Sequence, residues 1–341
     1  MTFITFIKSL FATEKQHELG ALLDTRPQEE KDKDYKLEEI VASVASVDWK
    51  EKPKSEWRSF GVQNQITSSS CVAQSVRKAM RVLFKVNHNL DLDFSASDIY
   101  RRRSNKPREG MSGPDAFSIA SKGVTLNALM PSDNKTEYEM NNAKSIDGTD
   151  IVREVFKIPN YVALPIKDFE TVASTIQKTS KGVVLFYFFT RAEWAIEKPT
   201  VKSGTLFIGS SLALHHGVCA VDAFLVNGKK HLLVEDSAHF MGLTYHLISE
   251  EFHNNRNYYA AYPIRFAFDK VGKPSYNGTI KSLQDCLKAE GLFPSNVEST
   301  GFYGAITIKA VNEFQKKYSI DLVGTGTVGT NTKIQLHELY P

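Results

Sequence analysis

The sequence predicts an α+β domain followed by a small all-α module, and three observations carry that expectation. Helical spacing comes first: around "VRKAMRVLFKV", residues Val72, Val76, Met80 and Leu83 share one face. Runs of strand length and composition come later, in "GVVLFYFF" and "HLLVED". Then a break, "DKVGKPSYNGT", crowds Gly, Pro, Ser and Asn together, as linkers do.

The totals bound the rest. The chain has 341 residues, 42% hydrophobic and 24% charged, which suits a soluble protein of two domains or one domain with an appendage. A formal charge of +3 gives no electrostatic footprint for nucleic acid. The basic run "YRRRSNKPR" reads as a solvated loop. No segment approaches the about 20 apolar residues of a membrane span. Three cysteines, Cys71, Cys219 and Cys286, stand far apart without a CxxC pair. That argues against a Cys-rich zinc site and against a disulfide framework, and no cofactor is expected.

Residues 1–46 form an N-terminal arm. Its start, "MTFITFIKSLFATEK", is apolar but broken by Lys8 and lacks a basic lead, so it is a poor signal peptide. The charged piece that follows, "RPQEEKDKDYKLEEIVASVAS", is too polar to make a core alone and suits a surface helix or extended arm. Residues 47–268 make the main domain, 269–278 a linker and 279–341 the helical module. In the module, Gly291 is the expected C′ cap of one helix and Thr330 the N-cap of another. Leu283, Leu287, Val311, Phe314 and Leu336 suit one small core.

The stretch "VQNQITSSSCVAQSVRKAM" puts Cys71 behind three capping serines, at the expected start of a helix. Unpaired N–H groups and the positive end of the macrodipole favour a thiolate there. The alternative is a small buried core cysteine. A base is available in "LALHHGVCAVDAFLVNGKKHLLVEDSAH". His216 begins one strand, "NGKK" turns, and the return strand ends at Asp236, so a hairpin can set the carboxylate beside the ring. The carboxylate would fix the tautomer and leave the other nitrogen for the thiol. His215 is the rival, and strand alternation admits only one of the two. Cys219 and Cys286 read as core packing, and Asp222 and Glu235 receive no role.

These residues resemble the papain-like cysteine peptidases. "VDWKEK" resembles the segment that opens the family's mature domain, and "VQNQITSSSC" its nucleophile block, with glutamine six residues before cysteine. "GMSGPDAFSIASKGV" resembles the glycine-rich stretch lining the non-primed cleft. "HHGVCAVDAF" and "HLLVEDSAHFMG" resemble the strands bearing the base and its orienting partner. The resemblance runs in family order over roughly residues 47–265. It implies a two-lobed fold, a helical lobe plus a β-rich lobe. By position it implies Cys71 as nucleophile, His216 as general base and acid, and Asp236 as orienter where the family usually has asparagine. Gln65 would be the side-chain donor of the oxyanion hole, and Gly110 and Gly113 would lie in the substrate cleft. There are departures. Ser68 stands where a disulfide cysteine is common, and Val72 and Ala238 stand where tryptophans are common. Without the second tryptophan, the His–Asp pair is expected to be wetter and activity low.

The last segment resembles the three-helix peptidoglycan-binding domain. The resemblance rests on Leu283–Gln284, Gly291, "GFYGAIT", "AVNEFQ" and "GTGTVGTNT". Phe302, Tyr303 and Gly304 are the residues it offers for wall binding, with pinning of the loop as the other role for the two aromatics. Together the two resemblances imply a cysteine endopeptidase held at the bacterial cell wall, cutting wall protein or a peptidoglycan stem peptide. The rival is a structural or docking subunit of a phage tail or baseplate. There the arm would anchor to other virion subunits instead of serving as a propeptide.

Overall fold

A computed structural model describes residues 20–41, 44–179, 181–265, 268, 278–320 and 324–340. The apolar start of the arm and nearly all of the expected linker lie outside the described residues. The centre is a seven-stranded sheet of β1 (Tyr35–Lys36), β2 (Asn160–Ala163), β3 (Val183–Phe189), β4 (Leu214–Val226), β5 (Lys229–Glu235), β6 (Tyr245–Ser249) and β7 (Asn257–Ile264). Their order across the sheet is β1-β2-β7-β3-β4-β5-β6. Every pairing is antiparallel except β1 with β2.

The unbroken apolar run of β3 has a physical cause: the sheet is covered on both faces. Val184 and Phe186 enter one core, with the helix α1 (Cys71–His88) and the shorter α2 (Gly113–Ser121). Val183, Leu185, Tyr187 and Phe189 enter the opposite core, beneath α3 (Phe169–Thr179). The expected face of α1, Val72, Val76, Met80 and Leu83, is buried in the first core. The turn between β4 and β5 is Asn227–Gly228, with φ of 52° and 72°, as a two-residue hairpin of this chirality requires.

Buried ions lock α1 to the sheet. Arg77 and Lys78 both reach Glu235 at the end of β5, at 3.0 and 2.5 Å. The residue after Glu235 is Asp236, so the anchor of α1 also fixes the level of the candidate orienter.

Two sequence expectations change here. The run "YRRRSNKPR" is a solvated loop only in part: Ser104, Lys106, Pro107 and Arg108 are exposed, but the arginines before them turn inward. Arg103 is buried, lies over the ring of Tyr100 at 3.9 Å, and donates to the Arg108 carbonyl and the Asn141 side chain. Arg102 donates to the Gly123 carbonyl. Backbone carbonyls without helix or sheet partners take up these guanidinium forks. Nor does the arm stay on the surface. Its charged run hides Tyr35, Leu37 and Ile40, which are buried in the second core, and β1 joins the sheet edge.

The C-terminal module is built from α6 (Gly278–Ala289), α7 (Ala305–Lys317) and α8 (Thr330–Leu339), reserving α4 and α5 for Arg191–Trp194 and Glu250–Arg256. Leu283, Leu287, Val311, Phe314 and Leu336 are buried together in a core of their own. Gly291 follows α6 with φ of 72°, in the left-handed region that favours glycine. Gly329 is the N-cap of α8 and Thr330 its first residue, one position from the expectation. The module touches the arm, where the Lys333 ammonium lies 4.5 Å from the centre of the Tyr35 ring.

Candidate active site

Cys71 is the first residue of α1 and is fully buried. The serines before it turn the chain, but not by side-chain capping. The N-cap Ser70 makes no cap bond; its hydroxyl pairs with that of Ser68 at 2.8 Å. The helix start is pressed onto β4 at Gly217, whose N–H points to the Cys71 sulfur at 3.4 Å. A Cβ on Gly217 would lie 3.2–3.3 Å from Phe186 and Val72, so glycine permits this approach.

One residue earlier on β4, His216 Nε2 donates to Asp236 Oδ1 at 2.8 Å, and both residues are fully buried. His215, the rival, turns instead to Tyr258, with ring centres 5.5 Å apart. Among the described residues, His216 Nδ1 finds no hydrogen-bond partner of ordinary geometry, and the Cys71 thiol lies beside the ring. Burial opposes charge on His216, but the Asp236 carboxylate and then the Cys71 sulfur outweigh it, raising the ring to about 10. Burial would raise Asp236, yet His216 and His246 hold it far below the usual carboxylate range.

The expected wet pair is corrected by Trp194 of α4. Its ring is fully buried, stacks on Phe189 at 4.3 Å, and meets His216 edge-on at 6.1 Å. Its indole N–H donates to Asp236 Oδ2 at 2.8 Å. The shield missing at Ala238 is therefore supplied from another element. His246 of β6 also meets Oδ2, at 3.0 Å. Neither residue was found from the sequence. The available signal was weak: a tryptophan closing a T-x-x-E-W capping box directly after a strand.

Gln65 is buried and held at three points. Its N–H donates to the Ser237 carbonyl, its Oε1 accepts from the Ser237 hydroxyl, and its Nε2 donates to the Ser68 carbonyl, each at 2.8 Å. The amide orientation is thus fixed, with one Nε2 hydrogen left uncommitted.

The glycine-rich stretch is occupied by the arm. Met111 N–H donates to the Gly20 carbonyl at 2.9 Å, and Leu22 N–H to the Met111 carbonyl at 3.1 Å. Tyr258 donates to the Ala21 carbonyl at 3.0 Å. Gly20 has φ of +99°, and a Cβ there would lie 2.1 Å from the Ser69 carbonyl oxygen. Gly110 lies under this segment, where a Cβ would approach the Gly20 carbonyl to 2.7 Å. Gly113 instead makes room for the Tyr259 ring, 2.3 Å from its virtual Cβ.

The structure therefore brings Cys71, His216, Asp236, Gln65 and Gly110 into one region. Phe302, Tyr303 and Gly304 stand apart, in the C-terminal module. Tyr303 is fully buried and donates to the Gly326 carbonyl at 2.6 Å, so it pins the loop; Phe302 is 36% exposed. Cys219 and Cys286 are buried, and burial raises both thiols. Asp222 binds Lys52 and Ser55. Among the described residues, no cluster of three or more His, Cys, Asp or Glu could hold a metal ion, and no helix is long and apolar enough to cross a membrane.

Comparison with known proteins separates the two parts. Residues 277–336 match the family described as "Putative peptidoglycan binding domain". No curated protein sequence matches the chain. Among solved structures, xylellain, a cysteine protease from Xylella fastidiosa, superposes with a TM-score of 0.55 at 14% identity, covering 73% of this chain and 96% of that one. Bromelain protease from Ananas comosus, in complex with the E64 inhibitor, gives 0.48 at 18% identity, covering 61% and 97%. Digestive procathepsin L 3 of Tenebrio molitor gives 0.48 at 16%, covering 76% and 88%. The xylellain superposition establishes a papain-like fold.

Proposed function

We propose that this chain, with its papain-like fold and its peptidoglycan-binding segment, is a cysteine endopeptidase that works at the bacterial cell wall. One observation supports it above the rest. Cys71 opens a helix beside a buried imidazole whose Nε2 is tied to Asp236 and whose Nδ1 is uncommitted. In this reading the Cys71 thiolate attacks the peptide carbonyl carbon, and the developing oxyanion accepts from Gln65 Nε2 and the Cys71 N–H. His216 then gives its proton to the leaving amine, which departs with the C–N bond broken. A water, deprotonated by the same ring, hydrolyses the thioester and frees the thiolate. The C-terminal module keeps the enzyme near its substrate, a wall protein or a stem peptide, without adding a catalytic contact. Residues 1–46 act as an inhibitory arm, a role supported by the seating of Gly20–Leu22 on Met111.

The test compares wild type with Cys71→Ala, each shortened by residues 1–22 so that Tyr35, Leu37 and Ile40 keep their places in the second core, on casein and on purified cell walls. Loss of hydrolysis in the variant, by about 10³-fold or more, is expected. Equal behaviour on both substrates would end the peptidase reading and favour the docking-subunit role.

A further inference from the structure

Every hydrogen bond at the Asp236 carboxylate brings a donor to it. Oδ1 accepts from His216 Nε2 and from the Ala238 N–H, each at 2.8 Å. Oδ2 accepts from the Trp194 indole at 2.8 Å and faces His246 Nε2 at 3.0 Å. The other nitrogen of His246, Nδ1, lies 3.0 Å from the carbonyl oxygen of Ile196. A carbonyl can only accept. Both nitrogens of His246 therefore point at acceptors. A neutral ring has one N–H and leaves one contact without a proton, whereas a doubly protonated ring fills both. The ring has little room to turn away. It is fully buried, packs on Trp194 at 4.3 Å, and sits in register with Val234 across the β5–β6 pair.

We propose that His246 carries a proton on both nitrogens and is a positioning residue that balances the charge of Asp236. His216 is then oriented by a pair with no net charge. The catalytic meaning of this inference rests on the peptidase reading; the protonation state does not. The resembled family usually has a neutral amide at the position of Asp236. An unbalanced buried carboxylate would grip the His216 proton and slow its passage to the leaving amine. A cation behind the carboxylate removes that excess. With Cys71 as thiolate and His216 as imidazolium, the four groups carry two negative and two positive charges. The other ionisable groups nearby are otherwise engaged. Glu193 on α4 turns to Arg256 and to the Lys202 N–H, Glu197 pairs with Arg58, and the Tyr245 hydroxyl donates to the Trp57 carbonyl.

The test reads ring nitrogens rather than hydrolysis. In the ¹⁵N-labelled full chain, both His246 nitrogens should resonate as protonated at neutral pH. His246→Gln keeps an amide N–H for Asp236 and removes the charge, together with the ring that packs on Trp194. The His216 titration should then move up by about one pH unit, a proton held tenfold tighter. The double variant Asp236→Asn, His246→Gln lacks both charges and should move it back down. A singly protonated His246 at neutral pH, or an unmoved His216 titration in His246→Gln, overturns the proposal. If the variant does not fold, the wild-type spectrum decides alone. An inert Cys71 beside a doubly protonated His246 would sink the peptidase reading and leave this one standing.

Discussion

At the scale of single residues, the site depends on how many donors Asp236 keeps. Its burial is tolerable because donors converge on both oxygens. Trp194→Phe keeps a ring against Phe189 and His216 but deletes the indole N–H. It should cost about 1–3 kcal/mol, since a buried charged acceptor loses a partner, and urea denaturation will measure it. A loss within error would mean that the indole serves only as a cover. This contact also marks the limit of the sequence reading. Cys71, His216 and Asp236 could be singled out as candidates because their signals are local: a serine run before a helical period, and a hairpin whose turn is spelled by Asn227–Gly228. Gln65 came only from the family resemblance. Trp194 and His246 could not be singled out, because nothing local announces them. They reach Asp236 through the β5–β6 register and through a helical turn that follows β3.

At the scale of elements, the strands and α1 were legible because period and composition agree there, with both faces of the sheet covered and one face of α1 buried. The arm was misjudged because its few apolar residues are diluted among charges, and β1 borrows its partner strand from far along the chain. Its passage over the nucleophile region depends on one glycine. At Gly20 a β-branched residue would meet the Ser69 carbonyl and also adopt φ of +99°. The left-handed backbone alone costs about 1–2 kcal/mol. Gly20→Val should therefore lift Gly20–Leu22 from Met111 and raise the rate of Cys71 alkylation by about tenfold or more. The midpoint of global unfolding should change little, because the clash is relieved by moving the arm. An unchanged alkylation rate would show that the arm does not guard the sulfur.

At the scale of the whole molecule, the C-terminal module has its own core yet is not an isolated bead. Phe268, at the end of the main domain, meets His337 of α8 edge-on at 4.9 Å, and α8 also touches the arm through Lys333 and Tyr35. Lys181, just before β3, senses the same junction: it is buried, its ammonium has no hydrogen-bond partner among the described residues, and it acts on His337. Burial, and then Arg265, lower Lys181 from its ordinary 10.5 to about 7. Burial, then Lys333 and Lys181, lower His337 to about 3. The junction thus disfavours positive charge. Between about pH 7 and 10.5 the unfolded chain binds the lysine proton and the folded chain does not, so this group adds stability as pH rises through that window. Below pH 7 both states hold the proton and the folded chain bears the full penalty. His216 works in the opposite sense, its raised proton affinity favouring the fold below its ordinary 6.5 and losing that effect as pH rises through about 10. A difference measurement separates them. Lys181→Met fills the same space without charge and should be more stable than wild type near pH 6, by up to several kcal/mol. The advantage should shrink steadily as pH approaches 10. Paired calorimetry across that range is the check. A constant difference between the two proteins, or a less stable variant near pH 6, would mean that the ammonium reaches water and that the junction is open rather than sealed.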